Sequence, residues 1–446
     1  MNINVMLISL GCDKNLVDSE MMLGTLAEAG FTLTSEAGEA DVIVVNTCCF
    51  IGDAKEESIN TLIEYGSLKK KGRLKALIAA GCLAQRYTSE IHKDLPEVDA
   101  VVGISSFDRI AEVIRKVLDG SASDAMDDKS RLIYGKKRML STGGHYAYLK
   151  IAEGCDKHCT YCVIPKVRGP YRSVPMESLI AEARELVAGG VRELILVAQE
   201  TTVYGTDIYG EKKLYELIEK LCAIEELNWV RLLYCYPEEI DDRLIEVMER
   251  EEKFCHYLDM PIQHSEDEIL KRMGRKTDRA QIEAIVAKLR RHIPDIAIRT
   301  TLIAGFPGEK AEQHASLLDF VAKMRFSRLG VFPYSAEEDT PAAEMEDQIS
   351  DEVKQQRAGE VMQLQQDIAF EEAERMKGRI LRCMVEGRIP EENALVCRSY
   401  MDAPDVDGYV FVENAPELMS GTLLDVRITG SDEYDLIGEI YNEPCK

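Results

Sequence analysis

Four apolar runs punctuate the first 120 residues: VMLISL (5–10), DVIVV (41–45), KALIAA (75–80) and AVVGI (100–104). Segments with helical spacing lie between them, such as SEMMLGTLAEAG and EESINTLIEYGSLKKKG. Continuous apolar runs alternating with helices predict strands buried on both faces of a parallel sheet. Residues 121–145 turn polar, with Gly and Ser, and read as a linker with one short strand. From Tyr146 a second series begins: YAYLKIAE, ELILVAQE, WVRLLYCY, CHYLDMPI, IAIRTTLIAG and RLGVFPYS, separated by helices such as MESLIAEARELVAGG. Six strand–helix units in a row predict a barrel or partial barrel, with chemistry at the C-terminal ends of its strands. Residues 351–377 read as a long charged amphipathic helix. The rest changes period. ILRCMVEGRI, NALVCRS, GYVFVEN, GTLLDVRITG and DLIGEIY are short strands joined by turns, which predict a small antiparallel β-barrel of OB-like type. The expected fold class is α/β: an N-terminal parallel-sheet domain (1–122), a linker (123–144), a central partial (β/α)6 barrel with its connecting helix (145–375) and the C-terminal β-barrel (376–446).

Composition narrows the function. A chain of 446 residues holds about three domains and can build its cores without disulfide staples. Hydrophobic residues at 46% and charged residues at 30% exclude a mostly disordered chain. No run approaches the ~20 consecutive apolar residues of a membrane span. The start, MNINVMLISLGCDKN, has neither a basic n-region nor a cleavage site. A cytoplasmic protein is expected, with no membrane partner. There, 13 cysteines point to metal or redox work rather than disulfides. Lys+Arg 54 against Asp+Glu 79 gives a net charge of −25, which suits a basic partner better than nucleic acid.

Six cysteines carry the chemistry. Cys155, Cys159 and Cys162 fall within eight residues, just after the run YLKIAEG. Three thiolates so spaced suit one iron–sulfur cube and leave its fourth iron open to a small molecule. A zinc site completed by His158 is the alternative. The second group is dispersed: Cys12 follows VMLISLG, Cys48 follows DVIVVNT and Cys82 follows KALIAAG. Equivalent positions after parallel strands converge at one sheet edge, where such folds place ligands. Cys49 adjoins Cys48 and leaves the choice of ligand open, although the rhythm favours Cys48. Cys222, Cys235, Cys255, Cys383, Cys397 and Cys445 have no ligand spacing. At the predicted barrel mouth, Gly305 and Gly308 follow a strand, where glycine permits close backbone approach to a ligand. Gln199, Glu200, Thr201, Gln263, His264, Arg299 and Thr300 end or lie in barrel strands, and Arg299 suits a carboxylate. Tyr161 stands beside the last cysteine and is a candidate to flank an adenine.

Cys155-x3-Cys159-x2-Cys162 at the start of a partial barrel resembles the radical S-adenosylmethionine enzymes. With SLGCDKNLVDSE, VNTCCFI, GCLAQRY, KIAEGCDKHCTYCVIPKVRG, LVAQETTVYGTDIYG, YLDMPIQH, TTLIAGFPGE and FPYSAEEDTPA, the whole chain resembles the methylthiotransferase family, most of all its ribosomal-protein branch. Two positions depart from that pattern: Asp13 replaces the usual Pro and Cys49 the usual Gly, and neither removes a ligand. The resemblance implies two 4Fe–4S clusters, on Cys155/Cys159/Cys162 and on Cys12/Cys48/Cys82. It implies S-adenosylmethionine at the first, and Tyr161, Gln199, Arg299, Gly305 and Gly308 as its pocket. It also implies radical insertion of sulfur at the β-carbon of an aspartate in the twelfth small-subunit ribosomal protein, with the methyl group from a second S-adenosylmethionine. The C-terminal barrel would be a TRAM domain for substrate recognition. A flavodoxin or ferredoxin would give electrons, a separate donor sulfur, and the protein would act as a monomer on the free or assembling ribosomal protein. Related enzymes modify adenosine in transfer RNA. Residues 378–446 hold six basic against fourteen acidic groups, the wrong field for gripping RNA and a fitting one for a basic ribosomal protein. Transfer RNA methylthiolation and a non-catalytic iron–sulfur carrier are the alternatives.

Overall fold

The computed structural model describes residues 3–70, 72–121 and 124–441; Cys445 and the 122/123 boundary lie outside them. The first sheet is parallel throughout, in the order Thr32–Leu33, Asn4–Ser9, Val42–Thr47, Ala76–Ala80, Ala100–Val102. Its central strands Val42–Thr47 and Ala76–Ala80 are buried at every position, which is why they read as unbroken apolar runs. The edge strand Thr32–Leu33 is too short to register in a hydrophobic pattern.

The second sheet holds all six predicted strands, parallel and in chain order: Tyr146–Lys150, Glu193–Val197, Trp229–Leu232, Phe254–Asp259, Ala297–Ala304 and Arg328–Pro333. Its first and last strands do not pair, so the barrel is open. One face, with Ala147, Leu149, Leu194 and Leu196, packs on the helices. The other, with Tyr146, Tyr148, Ile195, Trp229 and Tyr257, shares a single apolar core with Val5, Val17 and Ile78 of the first unit and with Met384 and Ala403 of the third. The helix Asp351–Arg375 buries Val361 and Ile368 against the central unit and leads to the third.

The third unit is a closed five-stranded barrel: Ile380–Ile389, Ala394–Ser399, Val410–Glu413, Leu423–Asp432 and Asp435–Ile440. Four of its pairings are antiparallel, but the pair of Val410–Glu413 with Asp435–Ile440 is parallel. Closure, which removes both free edges, is made through that pair. The region 124–145 differs from its reading as a linker with a strand. It forms one bridge, Ala125 to Val102. Most of its polar residues face solvent, but the Arg138 side chain is buried and ion-paired to Glu20 and, at 2.8 Å, to Glu182. The strap thus ties the first helix to the central unit. Among the described residues no helix is long and apolar enough to cross a membrane.

Candidate active site

A two-stranded ladder, Ala152–Glu153 with Arg172–Ser173, closes the loop that carries Cys155, Cys159 and Cys162. Gly154, at φ +80°, sits at its neck, where a Cβ would stand 2.0 Å from the Pro170 carbonyl oxygen. Cys155 and Cys159 are buried, and Cys162 is half-buried. The amide of Lys157 donates to Cys155 Sγ (3.4 Å), the amide of Ile164 donates to Cys162 Sγ (3.5 Å), and the Tyr236 hydroxyl lies 3.7 Å from Cys159 Sγ. Burial pushes the Cys155 and Cys162 thiols up to about 12. Buried thiols with donors aimed at their sulfurs suit a positive metal centre that would draw off their protons. His158 is exposed, unlike the thiols. Among the described residues no three His, Cys, Asp or Glu side chains gather around a single ion. The thiolates of a cube each hold a different iron, so the donor set fits a cluster better than zinc.

The groups predicted at the barrel mouth separate into two kinds. Some keep unpartnered polar atoms. Gln199 donates from Nε2 to Glu153 (2.8 Å) and leaves Oε1 free. Glu200 is buried with Oε2 unbonded but 3.9 Å from the Lys157 ammonium, and burial lifts its carboxyl to about 7. Arg275, which the sequence reading missed, lies 4.2 Å over the Tyr236 ring with Nε and Nη1 free. Tyr161 packs edge-on against Phe306 at 6.5 Å. The others are engaged within the fold. Thr201 donates to the Leu233 carbonyl (2.7 Å) and Thr300 to that of Met260 (2.8 Å). Gln263, at φ 72°, pairs through its backbone with Thr301 and Ile303. His264 is wholly buried, its Nδ1 accepting from the Glu266 amide (3.0 Å), which leaves Nε2 facing Glu309 at 3.6 Å. The Gly305 amide donates to Glu309 (2.7 Å), and a Cβ there would lie 2.5 Å from the Lys354 side chain. At Gly308 a Cβ would meet Asp347 at 2.5 Å. Protein contacts already require glycine at both positions.

The second cysteine set lies along one edge of the first sheet. Its three parent strands are neighbours in the sheet. Cys12 caps the helix Asp13–Glu28, Cys48 follows Val42–Thr47, and Cys82 opens the helix Gly81–Arg86. Gly11, at φ +84°, lies so close that a Cβ would be 2.8 Å from Cys48 Sγ. Ser58 clamps the backbone of Cys48, accepting from its amide (2.9 Å) and donating to its carbonyl (3.0 Å). Cys49 is buried in an apolar core that holds Leu62, Leu83 and also Cys82.

A buried charge network joins the two sets. Arg168, six residues after Cys162, donates from Nε to Cys82 Sγ (3.3 Å) and from Nη1 to Asp18 (3.0 Å) and Glu153 (2.9 Å). Lys150 bridges the same two carboxylates, Glu153 at 2.8 Å. Sequence reasoning missed this network. Its only signal is the placing of Lys150, Glu153 and Arg168 in and beside an otherwise buried segment.

Below the network lies a cavity of about 350 Å³ where the three units meet, lined by Cys12, Tyr148, Tyr234, Asp259, Arg299 and Asp405 among others. Arg299 is therefore placed with Cys12 and the C-terminal barrel, held by Asp259 at 2.8 Å. Tyr234 has a strained φ of 63°, donates to Asp13 (3.2 Å) and lies under the Lys14 ammonium, 3.3 Å from its ring centre. The acidic loop 402–408 bonds to the central unit, with Asp402 buried and Asp405 exposed. Asp405 accepts from the Tyr146 hydroxyl (2.8 Å), Asp407 from that of Tyr257 (2.7 Å), and Asp402 pairs with Arg328. Asp402, buried and paired with Arg328, thus has its charge matched inside the molecule.

An open six-stranded parallel barrel with a three-cysteine loop after its first strand defines the radical S-adenosylmethionine class, and the enzyme is a transferase of that class. The model described as the Radical SAM superfamily matches residues 149–321, that of the TRAM domain 378–440, and that described as Uncharacterized protein family UPF0004 residues 4–103. The solved radical S-adenosylmethionine methyltransferase TsrM of Kitasatospora setae is similar in fold, with TM-score 0.56 and 14% identity over 77% of each chain. The cobalamin-dependent radical enzyme OxsB has TM-score 0.53 and 12% identity over 81% of this chain and 56% of its own. Ribosomal protein uS12 methylthiotransferase RimO of Lachnoclostridium phytofermentans is 60% identical over 97% of this chain and 99% of its own. That of Acetivibrio thermocellus is 50% identical over 99% of each. The chain belongs to the RimO family of methylthiotransferases.

Proposed function

We propose that this enzyme methylthiolates the β-carbon of an aspartate in ribosomal protein uS12, using two 4Fe–4S clusters and S-adenosylmethionine. One observation carries the reading: two three-cysteine sets stand at opposite ends of the short helix Ile164–Arg168, and the second opens on a cavity built by all three units. When bound, the clusters and S-adenosylmethionine supply a 5′-deoxyadenosyl radical, a sulfur atom and a methyl group.

The chain's own residues do the rest. Cys155, Cys159 and Cys162 hold one cluster, and Cys12, Cys48 and Cys82 the other. Gln199, with its free Oε1, and Tyr161 line the S-adenosylmethionine pocket, and the Gly305–Gly308 turn backs it by seating Phe306 against Tyr161. Arg299 belongs to the substrate end, in the cavity with Cys12. Substrate seated in that cavity would displace its water, which a radical reaction on an unactivated carbon requires. Domain limits of 1–122, 145–375 and 376–446 follow from this division of labour. The protein works as a cytoplasmic monomer, fed electrons by a flavodoxin or ferredoxin.

The test offers anaerobically reconstituted, reduced enzyme, with S-adenosylmethionine and sulfide, both ribosomal small subunits and bulk transfer RNA. Mass spectrometry is expected to find the methylthio group on one aspartate of uS12. Finding it on adenosine instead would keep the chemistry and overturn the substrate.

A further inference from the structure

The charge network between the cysteine sets is more elaborate than packing needs. Lys150, Arg168, Asp18 and Glu153 are all buried and together neutral. Replacing such a set by apolar side chains is often neutral or stabilising, so stability alone does not explain it. Arg168 differs from Lys150 in a third contact, the Nε–H bond to Cys82 Sγ at 3.3 Å. Its guanidinium is planar and is fixed by Asp18, Glu153 and, through Nη2, Asn15 Oδ1. Fixing the plane fixes the direction of the Nε–H. The same helix presents its first amide, that of Ile164, to Cys162 Sγ.

We propose that Arg168 is a positioning residue that raises the reduction potential of the centre held by Cys12, Cys48 and Cys82. The inference rests on the two-cluster reading above. A hydrogen bond to a ligand sulfur offsets the negative charge that reduction adds, and so favours the reduced state. The cation itself is balanced by Asp18 and Glu153, so the directed N–H bond makes the difference. Reduction adds one electron from dithionite to the centre; Arg168 stays protonated and no bond to it breaks.

The experiment uses the full chain with Cys155, Cys159 and Cys162 replaced by Ala, so that one centre remains, read by potentiometric titration with paramagnetic resonance detection. Arg168→Lys keeps the charge and withdraws the Nε–H. Arg168→Met with Asp18→Asn withdraws both donor and charge while keeping the pocket neutral. Both are expected to lower the midpoint potential at unchanged iron content. In the converse background, lacking Cys12, Cys48 and Cys82, the same changes are expected to leave the remaining potential where it was. Unchanged potentials in the first background overturn the proposal. So does an Arg168→Lys chain that loses iron while the balanced double variant keeps the parent potential, because Arg168 is then only a folding contact. If the first background with Arg168 intact binds no iron–sulfur centre, the two-cluster reading fails instead.

Discussion

Cys48 and Cys49 are adjacent in the chain and differ in what their sulfurs meet. Cys48 packs against Gly11, whereas Cys49 packs among Leu62, Leu83 and Cys82, where burial lifts its thiol to about 11. Cys48→Ala is expected to keep S-adenosylmethionine cleavage and stop sulfur insertion. Cys49→Ala should keep both and lose about 1 kcal/mol from the core. Cys159→Ala, at the other set, should abolish cleavage, read as 5′-deoxyadenosine formed from reduced protein. Sulfur insertion surviving in the Cys48 variant would show that Cys49 substitutes as ligand. Glu200 makes a different prediction at the same scale. Burial is the largest influence on its carboxyl and raises it from 4.5 to about 7. Between those values the folded chain holds a proton that the unfolded chain has released. Its contribution is therefore intact below about pH 4.5 and is lost as pH rises through 7. The loss is on the order of 3 kcal/mol. In urea unfolding of the metal-free chain between pH 5 and 8, Glu200→Gln is expected to flatten that fall. An unchanged slope would place the ionised carboxylate in the fold.

Among the elements, the tightest dependence is that of a ligand on a turn. Gly11 carries a left-handed φ, and a Cβ there would fall 2.6 Å from Cys48 Cβ. With two clusters as proposed, Gly11→Ala should displace Cys48 and roughly halve the iron bound. S-adenosylmethionine cleavage at the other set should persist. Full iron loading in this variant would mean that the turn shifts without moving the ligand. Elements of this kind were open to sequence reading because buried parallel strands leave unbroken apolar runs, and a cysteine after three neighbouring runs marks one sheet edge. The six barrel strands emerged for the same reason, and the five of the C-terminal barrel through their short mixed runs separated by turns. Other features leave no such trace. Thr32–Leu33 has too few residues to show a period, and the parallel closure of the last barrel depends on contacts distant in sequence. The segment 124–145 looked like a solvated linker because polarity patterns cannot tell a charge facing water from Arg138 facing Glu20 and Glu182. Arg168 escaped notice in the same way. Gly305 and Gly308 carried a real constraint, but its source is a packed helix and an acidic side chain, which the sequence does not distinguish from a ligand.

At the scale of the molecule, the cavity between the three units exists only if the C-terminal barrel stays docked on the concave face of the central sheet. Apolar contact does part of this, through Met384 and Ala403 in the shared core. The rest is a buried ion triad: Glu193 lies between Arg231 (2.7 Å) and Arg398 (2.5 Å), and Arg231 also donates to the Tyr400 carbonyl (2.7 Å). All three charged side chains are fully buried. Arg398 keeps Glu386 at 2.8 Å if Glu193 is neutralised, but Arg231 keeps no carboxylate partner. An unpaired buried charge costs about 3–5 kcal/mol. Glu193→Gln should therefore loosen the docking more than either barrel's own core. Denaturant unfolding is expected to split into two transitions, and limited proteolysis to cut between the helix Asp351–Arg375 and the first strand of the C-terminal barrel. Adding Arg231→Met removes the unpaired charge and should restore a single transition. A uniform loss of stability with no new cleavage would place the triad within the core of the central sheet, and docking would then rest on the apolar contacts alone. With the split transition, by contrast, S-adenosylmethionine cleavage should survive while modification of uS12 falls, because the cysteine sets do not need the C-terminal barrel and the cavity does.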